Sequence, residues 1–338
     1  MRIRHRLASL AACLMMTSAL VHSGAVHAQQ DIEAAPIISK PVQTFRFRSE
    51  ETRFGKLEFI GGLVMESPNT LFGALSSIRF QRNAQDFVMV LDTGHFLRGR
   101  IQRDGEGRLS GLEDVSIGSM KDRLGRTEGA KYDMDAEGLA LRGDQVLVSF
   151  ERRHRVDVYP AQDFMQAKPV ATIPILIPPR SLRVNGSLET LALAPEGSPL
   201  RGAPVIVAER SFDKDGNLYA AVLEGPLKGR FMVRHRDGFD VSDGTFLPSG
   251  DLLLLQRRFN IANGIGVRIV RIRGEDIRPG ALVDGETIME AGMGEQIDNM
   301  EGIDAITASD GSTHLILVSD DNHSIFQRNL MLEFKLLD

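Results

Sequence analysis

"NMEGIDA" at Asn299–Ala305 and "MDAEGLA" at Met134–Ala140 stand far apart in the chain, yet both set a glutamate ahead of a glycine and an apolar residue. Each leads into a short strand, a turn, and a second apolar run with an acidic end, "QVLVSFE" in one case and "HLILVSDD" in the other. Three more stretches share the layout. "LSSIRF" (Leu75–Phe80) leads to "FVMVLDTG", "LETLAL" (Leu188–Leu193) to "VIVAERS", and "SDGTFL" (Ser242–Leu247) to "LLLLQRR". The units begin about 50–60 residues apart, the spacing of propeller blades.

Around these units the chain reads as short strands and turns. Runs such as "GVRIVRIRG" have strand length, and "RDGEG", "KDGN", "PSGD" and "SDGS" suit tight reversals between antiparallel strands. Helical periodicity is scarce, and its best candidate, "MKDRLGRT" at Met120–Thr127, is glycine-interrupted and reads as loop. The fold class expected is therefore all-β, a single β-propeller. Five clear units plus one assembled from the N-terminal strand "TFRFRSEETRFGKLEFIGGLVM" and the remaining strands predict six blades. Pairing of that strand with the C-terminal "FQRNLMLEFKLL" would close the ring and remove the exposed sheet edges. A pair of β-sandwiches is the alternative, but it gives no reason for a repeated opening step.

The 338 residues are 42% hydrophobic, enough for a large core. The first segment is read apart from it. "MRIRHRLASLAACLMMTSALVHSGAVHA" has an arginine-rich start, an apolar run too short to span a bilayer comfortably, and a small residue at Ala28 after Val26. That is the layout of an export signal cleaved near Ala28, which points to the periplasm or the medium of a Gram-negative bacterium. Residues 29–43, polar and proline-containing, read as a linker, and 44–338 as the propeller domain. Cys13, the one cysteine, leaves with the signal, so the mature chain has neither disulfide nor thiolate chemistry. Loss of Arg2, Arg4 and Arg6 makes the formal charge of −5 still more negative. An acidic protein with scattered lysine and arginine is a poor nucleic-acid binder, and no segment of the mature chain is apolar for long enough to cross a membrane.

A propeller gives the repeated step a purpose, because the innermost strand of each blade starts at one rim of the central channel. Glu137, Glu189, Asp243 and Glu301 are thereby expected around one opening, with Gly138, Gly244 and Gly302 allowing the backbones to crowd there. Converging carboxylates repel unless a cation sits among them or some stay protonated. Calcium, which accepts six to eight oxygen ligands in loose geometry, is the economical cation. Asp135, Asp298 and Asn299 flank the steps, and Asp92, Glu151, Glu209, Asp320 and Asp321 close the second strands. Bonding of such acids to neighbouring backbone amides is the structural alternative. Arg152, Arg210 and Arg257 follow second strands and form either a fork-like set for phosphate or carboxylate, or pairs with adjacent acids. His95 and His323 follow strands in the first and last units and are second-tier catalytic candidates. The five histidines outside the leader lack zinc-site spacing, and neither a Gly-x-Ser-x-Gly elbow nor a glycine-rich phosphate loop is present.

"DAEGLAL", "VLVSFERRHRVDVY", "NMEGIDAI" and "LILVSDDNHSIFQRNLMLEFKL", behind an export signal, resemble the "esterase-like activity of phytase" family. The resemblance runs from about Phe54 to Phe334, and the family is itself similar to β-propeller phytases, calcium-dependent phosphohydrolases with an acidic channel mouth. It implies a propeller, and site roles for Glu137, Glu301, Asp320, Asp321 and Asn322. Two functions follow as expectations. One is a calcium-assisted hydrolase of small-molecule phosphate or carboxyl esters. The other is a non-enzymatic periplasmic propeller that binds a ligand or a cell-envelope partner.

Overall fold

The computed structural model describes residues 32–127, 133–260 and 264–337. The expected leader, residues 1–28, lies outside the described residues. Twenty-four strands form five sheets, and short 3₁₀ turns at Pro179–Ser181 and Gly274–Asp276 are the helical elements among the described residues. Each sheet is one blade of a β-propeller. The inner strands are Leu75–Phe80, Ala136–Arg142, Thr190–Leu193, Asp240–Phe246 and Asn299–Thr307, which are the five repeated steps of the sequence in order.

The count is five blades, not six. The N-terminal strand that suggested a sixth blade, with the residues ahead of it, is spent in completing two others. Leu57–Glu66 pairs antiparallel with Asn329–Leu336 as the fourth strand of blade 5, and Ile38–Val42 adds a fifth outside it. Ile32–Ala34 pairs with Leu109–Ser119 on the outer edge of blade 1. The linker expected over 29–43 is thus, from Ile32 onward, largely strand. The chain has more edge to cover than to spare, and covering an edge satisfies a row of backbone donors and acceptors that a new blade would expose again.

Blades are buried on both faces, so their middle strands read as continuous apolar runs instead of alternating ones. Leu252, Leu253, Leu254 and Leu255 are all fully buried. Five apolar clusters hold the molecule together, each filling the wedge between two neighbouring blades. Between blades 4 and 5, for example, Leu253, Leu255 and Ile269 meet Leu315, Leu317 and Leu332, and at the outer end Phe45 stacks on Phe59 while Phe334 meets both edge to face. Burial of one such leucine contributes roughly 1.5–3 kcal/mol, so the wedges dominate stability.

Inner strands crowd at the axis. A β-carbon on Gly138 would lie 2.7 Å from both the Glu189 carbonyl oxygen and the Leu191 nitrogen of blade 3, so a larger residue there would push neighbouring inner strands apart.

Candidate functional site

The opening step of an inner strand is a bulge. In blade 5, Met300 faces Ser319 and Gly302 faces Val318, so Glu301 has no partner opposite it and turns toward the axis. In blade 2, Glu137 and Gly138 together face the one residue Ser149, whose hydroxyl accepts the Gly138 N–H at 2.9 Å. Ser76 holds the same place in blade 1, and Glu189 stands just ahead of the blade 3 strand. Glu137, Glu189, Glu301 and Ser76 all line one cavity of about 750 Å³.

A second ring surrounds them. On each second strand, one residue bonds back to the position ahead of the inner bulge. The Asp92, Glu151 and Glu209 amides donate to the carbonyls of Ala74, Asp135 and Ser187, while Arg257 and Asp320 pair with Asp240 and Asn299. These five residues, one per blade, line the same cavity. Four are acids and the fifth is Arg257, which binds Glu301 and Asn299 and donates to Glu209 at 3.1 Å.

The second ring is where the sequence reading was least complete. The strand-end acids are recognisable by their position, but only the pairing register shows that Arg257 is their equivalent in blade 4.

Asp243 is a correction. Aligned on its glycine, it was expected beside the glutamates. The ladder shows Val241 facing Gln256 and Asp243 facing Leu255, so the bulged residue of blade 4 is Ser242, and Asp243 matches Gly302. Its carboxylate points into the channel. There it forms a bidentate pair with Arg79 at 2.9 Å on each oxygen, and accepts the Ser77 hydroxyl and the Ile303 amide. Arg79 also donates to the carbonyls of Leu191, Gly244 and Ile303, spanning from blade 1 to blades 3, 4 and 5. Asp243 therefore belongs to the channel floor, with all its oxygens engaged. Arg79 was missed by the sequence reading; its one signal was a charge inside the otherwise uncharged strand "LSSIRF".

The other candidates divide. Asp320 lines the cavity, and one of its oxygens accepts the Leu75 amide at 3.2 Å. Asn322 lines it at the rim, bonded to Gln327. Asp321 does not; it accepts the His323 amide within the loop and receives no cavity contact. His323 is exposed in that loop and His95 is bonded to Thr93, and neither lines the cavity. Burial holds the His95 imidazole below its ordinary value. Arg152, Arg210 and Arg257 all line the cavity, but each is paired with an acid: Arg152 with Asp135, Arg210 with Asp240 at 2.7 Å, and Arg257 with Glu301. They are not free to act as an open fork. Asp298, Asn299 and Asp135 line it as expected.

Crowding and burial change the acids. Burial first, then the charges of Glu151, Asp135 and Glu301, hold the Glu137 carboxyl well above the usual carboxylate range. Glu189 is raised for the same reasons, burial first and then the charges of Glu137 and Glu209. Burial pushes Glu301 up to about 8 despite Arg257, and Glu151 and Asp320 each up to about 6. At neutral pH part of this cluster keeps its protons unless a cation replaces them.

Asp135, Glu137 and Glu151 each offer an oxygen, all within 4.8 Å of one another, and this acidic cluster can hold a metal ion. The donors are hard oxygens without histidine or sulfur, which suits calcium or magnesium better than a transition metal.

A fold of five radial sheets with such a mouth defines a β-propeller with an acidic, ion-competent channel. The model of the phytase-like family, "esterase-like activity of phytase", matches residues 70–323, and the chain belongs to that family. No curated protein matches the chain in sequence. Among solved structures it is similar to U3-55K, at 12% identity and a TM-score of 0.41, over 78% of this chain and 96% of that one. It is also similar to a putative gluconolactonase, at 10% identity and a TM-score of 0.42, over 90% of this chain and 94% of that one. A third likeness is the β-propeller domain of Cps50 (Swd1) from Myceliophteria thermophila, at 13% identity and a TM-score of 0.34, over 79% of this chain and 73% of that one.

Proposed function

We propose that the chain is an exported hydrolase of phosphate or carboxyl esters, acting at the acidic cavity with the help of calcium. The observation that carries the reading is the gathering of carboxylates from all five blades onto one cavity, three of them within 4.8 Å, in a chain of the phytase-like family. Glu137, Glu151 and Asp135 would hold the ion, with Glu189 facing them. When bound, a divalent cation supplies the positive charge that draws the oxygens of an ester into a cavity that otherwise repels them. Arg257, the one cation of the second ring, is held by Glu301, Asn299 and Glu209 and lends its charge to the cavity wall instead of acting as an open fork. Glu301, raised to about 8, keeps its proton near neutrality and donates it to the leaving-group oxygen as water adds to the ester's phosphorus or carbonyl carbon and gives up its proton to an ionised carboxylate of the cluster. Export follows from the leader layout of residues 1–28 and would place the site in a compartment with ample calcium.

The test uses the chain from Gln29 onward, assayed with and without calcium against a panel of phosphomonoesters and carboxyl esters, beside Glu137→Gln and Glu301→Gln. Calcium-dependent turnover that falls at least a hundredfold in both variants supports the reading. Turnover unaffected by both moves the chemistry elsewhere. If calcium changes neither turnover nor melting temperature, the hydrolase idea is lost. The second reading, a ligand-binding propeller without catalysis, draws on the pairing of Arg152, Arg210 and Arg257 with acids, which uses up charge a phosphate site would need.

A further inference from the structure

The acidic cavity has an apolar collar that its chemistry does not require. Phe259, on the strand Leu252–Asn260, lines the cavity and is nonetheless 78% exposed; Ile265, its cross-strand partner, lines it as well. On blade 5, Ile325 and Phe326 are 93% and 89% exposed in the loop between Asn322 and Gln327, both of which line the cavity. Val184, 58% exposed, precedes the lining residue Asn185. Single exposed apolar side chains need no explanation, but large ones gathered at the rim of one cavity mark a surface that binds something apolar. Below the collar, the charge balance is one-sided. Ten carboxylates and four arginines line the cavity, so even with Glu137, Glu189 and Glu301 protonated a single divalent ion would leave it negative. A ligand with many negative charges is repelled there, and one with a single anionic or ester head and an uncharged tail is not.

We infer that the ligand of this site is amphipathic: an ester whose reacting head sits among the acids while an aryl or acyl group rests against Phe259, Ile325 and Phe326. The inference rests on the hydrolase reading for the word ester, but the apolar contact can be measured without turnover. It separates this chain's substrate from a highly phosphorylated polyol, which has no apolar part and meets the wrong charge.

The experiment measures binding by calorimetry in millimolar calcium, with 2-naphthylmethylphosphonate and methylphosphonate as unreactive probes of equal head charge. The variants are Phe259→Ser and the double variant Ile325→Ser, Phe326→Ser, all at exposed positions remote from the core. The naphthyl probe is expected to bind the unaltered chain at least about tenfold tighter, the range one apolar contact supplies. That preference should vanish in the variants while methylphosphonate binds all three alike. Equal binding of the two probes, no binding of either, or an equal loss for both in the variants overturns the inference. So does sedimentation with phosphatidylglycerol vesicles that the substitutions abolish while the probes show no preference, since the collar would then serve a membrane. Absence of turnover with every ester, beside a retained naphthyl preference, strikes the hydrolase reading and leaves the amphipathic ligand standing.

Discussion

Arg79 and Asp243 are both buried, and each satisfies the other while Arg79 also ties the inner strands of three further blades. Burial alone would push the Asp243 carboxyl far up; the guanidinium and two backbone amides counter much of that, and a net rise remains. Breaking such a pair leaves an uncompensated charge at the axis. Asp243→Asn is expected to cost about 3–5 kcal/mol, read as a lower urea midpoint with an unchanged slope. Glu137→Gln is expected to act in the opposite direction without calcium. It removes a carboxyl that burial and its acidic neighbours force to take up a proton on folding, so the melting temperature of the ion-free protein at neutral pH rises, while the increase that calcium brings shrinks. These two acids show how far residue patterns reach. Glu137 and Glu301 were legible because their Glu-Gly step is local; the true place of Asp243 was not, because a bulge of one residue decides it, and a bulge is fixed by the partner strand.

Blades 1 and 5 are neighbours in the ring, and a buried ion pair is among the polar contacts that span their seam. Glu333 of blade 5 is fully buried, and Arg103 of blade 1 donates to its two oxygens at 2.7 and 2.9 Å while His314 bonds at 2.8 Å. Burial would raise this carboxyl, but the His314 and Arg103 bonds outweigh it and hold it below the usual range. Arg103→Ala is expected to cost about 2 kcal/mol near pH 6 and to leave the protein less sensitive to acid, since Glu333 without its cation takes up a proton more readily; thermal melts at pH 4 and pH 6 should show the deficit shrinking at the lower pH. The strands themselves were readable from their apolar runs and turn signals. The blade count was not, because Leu57–Glu66 looks the same in sequence whether it founds a blade or completes one. Nothing local distinguishes the two; the C-terminal strand it pairs with lies at the other end of the chain.

The molecule as a whole carries two opposed responses to pH. Glu151 and Asp320 at about 6 and Glu301 at about 8 hold protons in the folded state that they lose when unfolded. The native state therefore binds more protons than the unfolded one between about pH 4.5 and 8, and stability falls as pH rises through that window. Glu333 acts in reverse and loses its contribution on acidification. Without calcium the melting temperature is thus expected to peak near pH 5 and decline toward pH 8, and millimolar calcium should flatten the decline; differential scanning calorimetry across that range checks both. A second expectation concerns the N-terminal strands. Deletion of residues 29–42 strips the outer edges of blades 1 and 5 at once. The truncated chain should melt at lower temperature and aggregate faster, seen by light scattering on heating.

The Arg79–Asp243 floor also decides traffic. A propeller channel left open is a tunnel, in which a reactant could arrive at one end and what remains of it depart at the other. Here the guanidinium and the carbonyls it ties form a stopper beneath the glutamates. Whatever comes down to those carboxylates must go back the way it came, past the phenylalanine at the lip, so arrivals and departures compete for a single doorway.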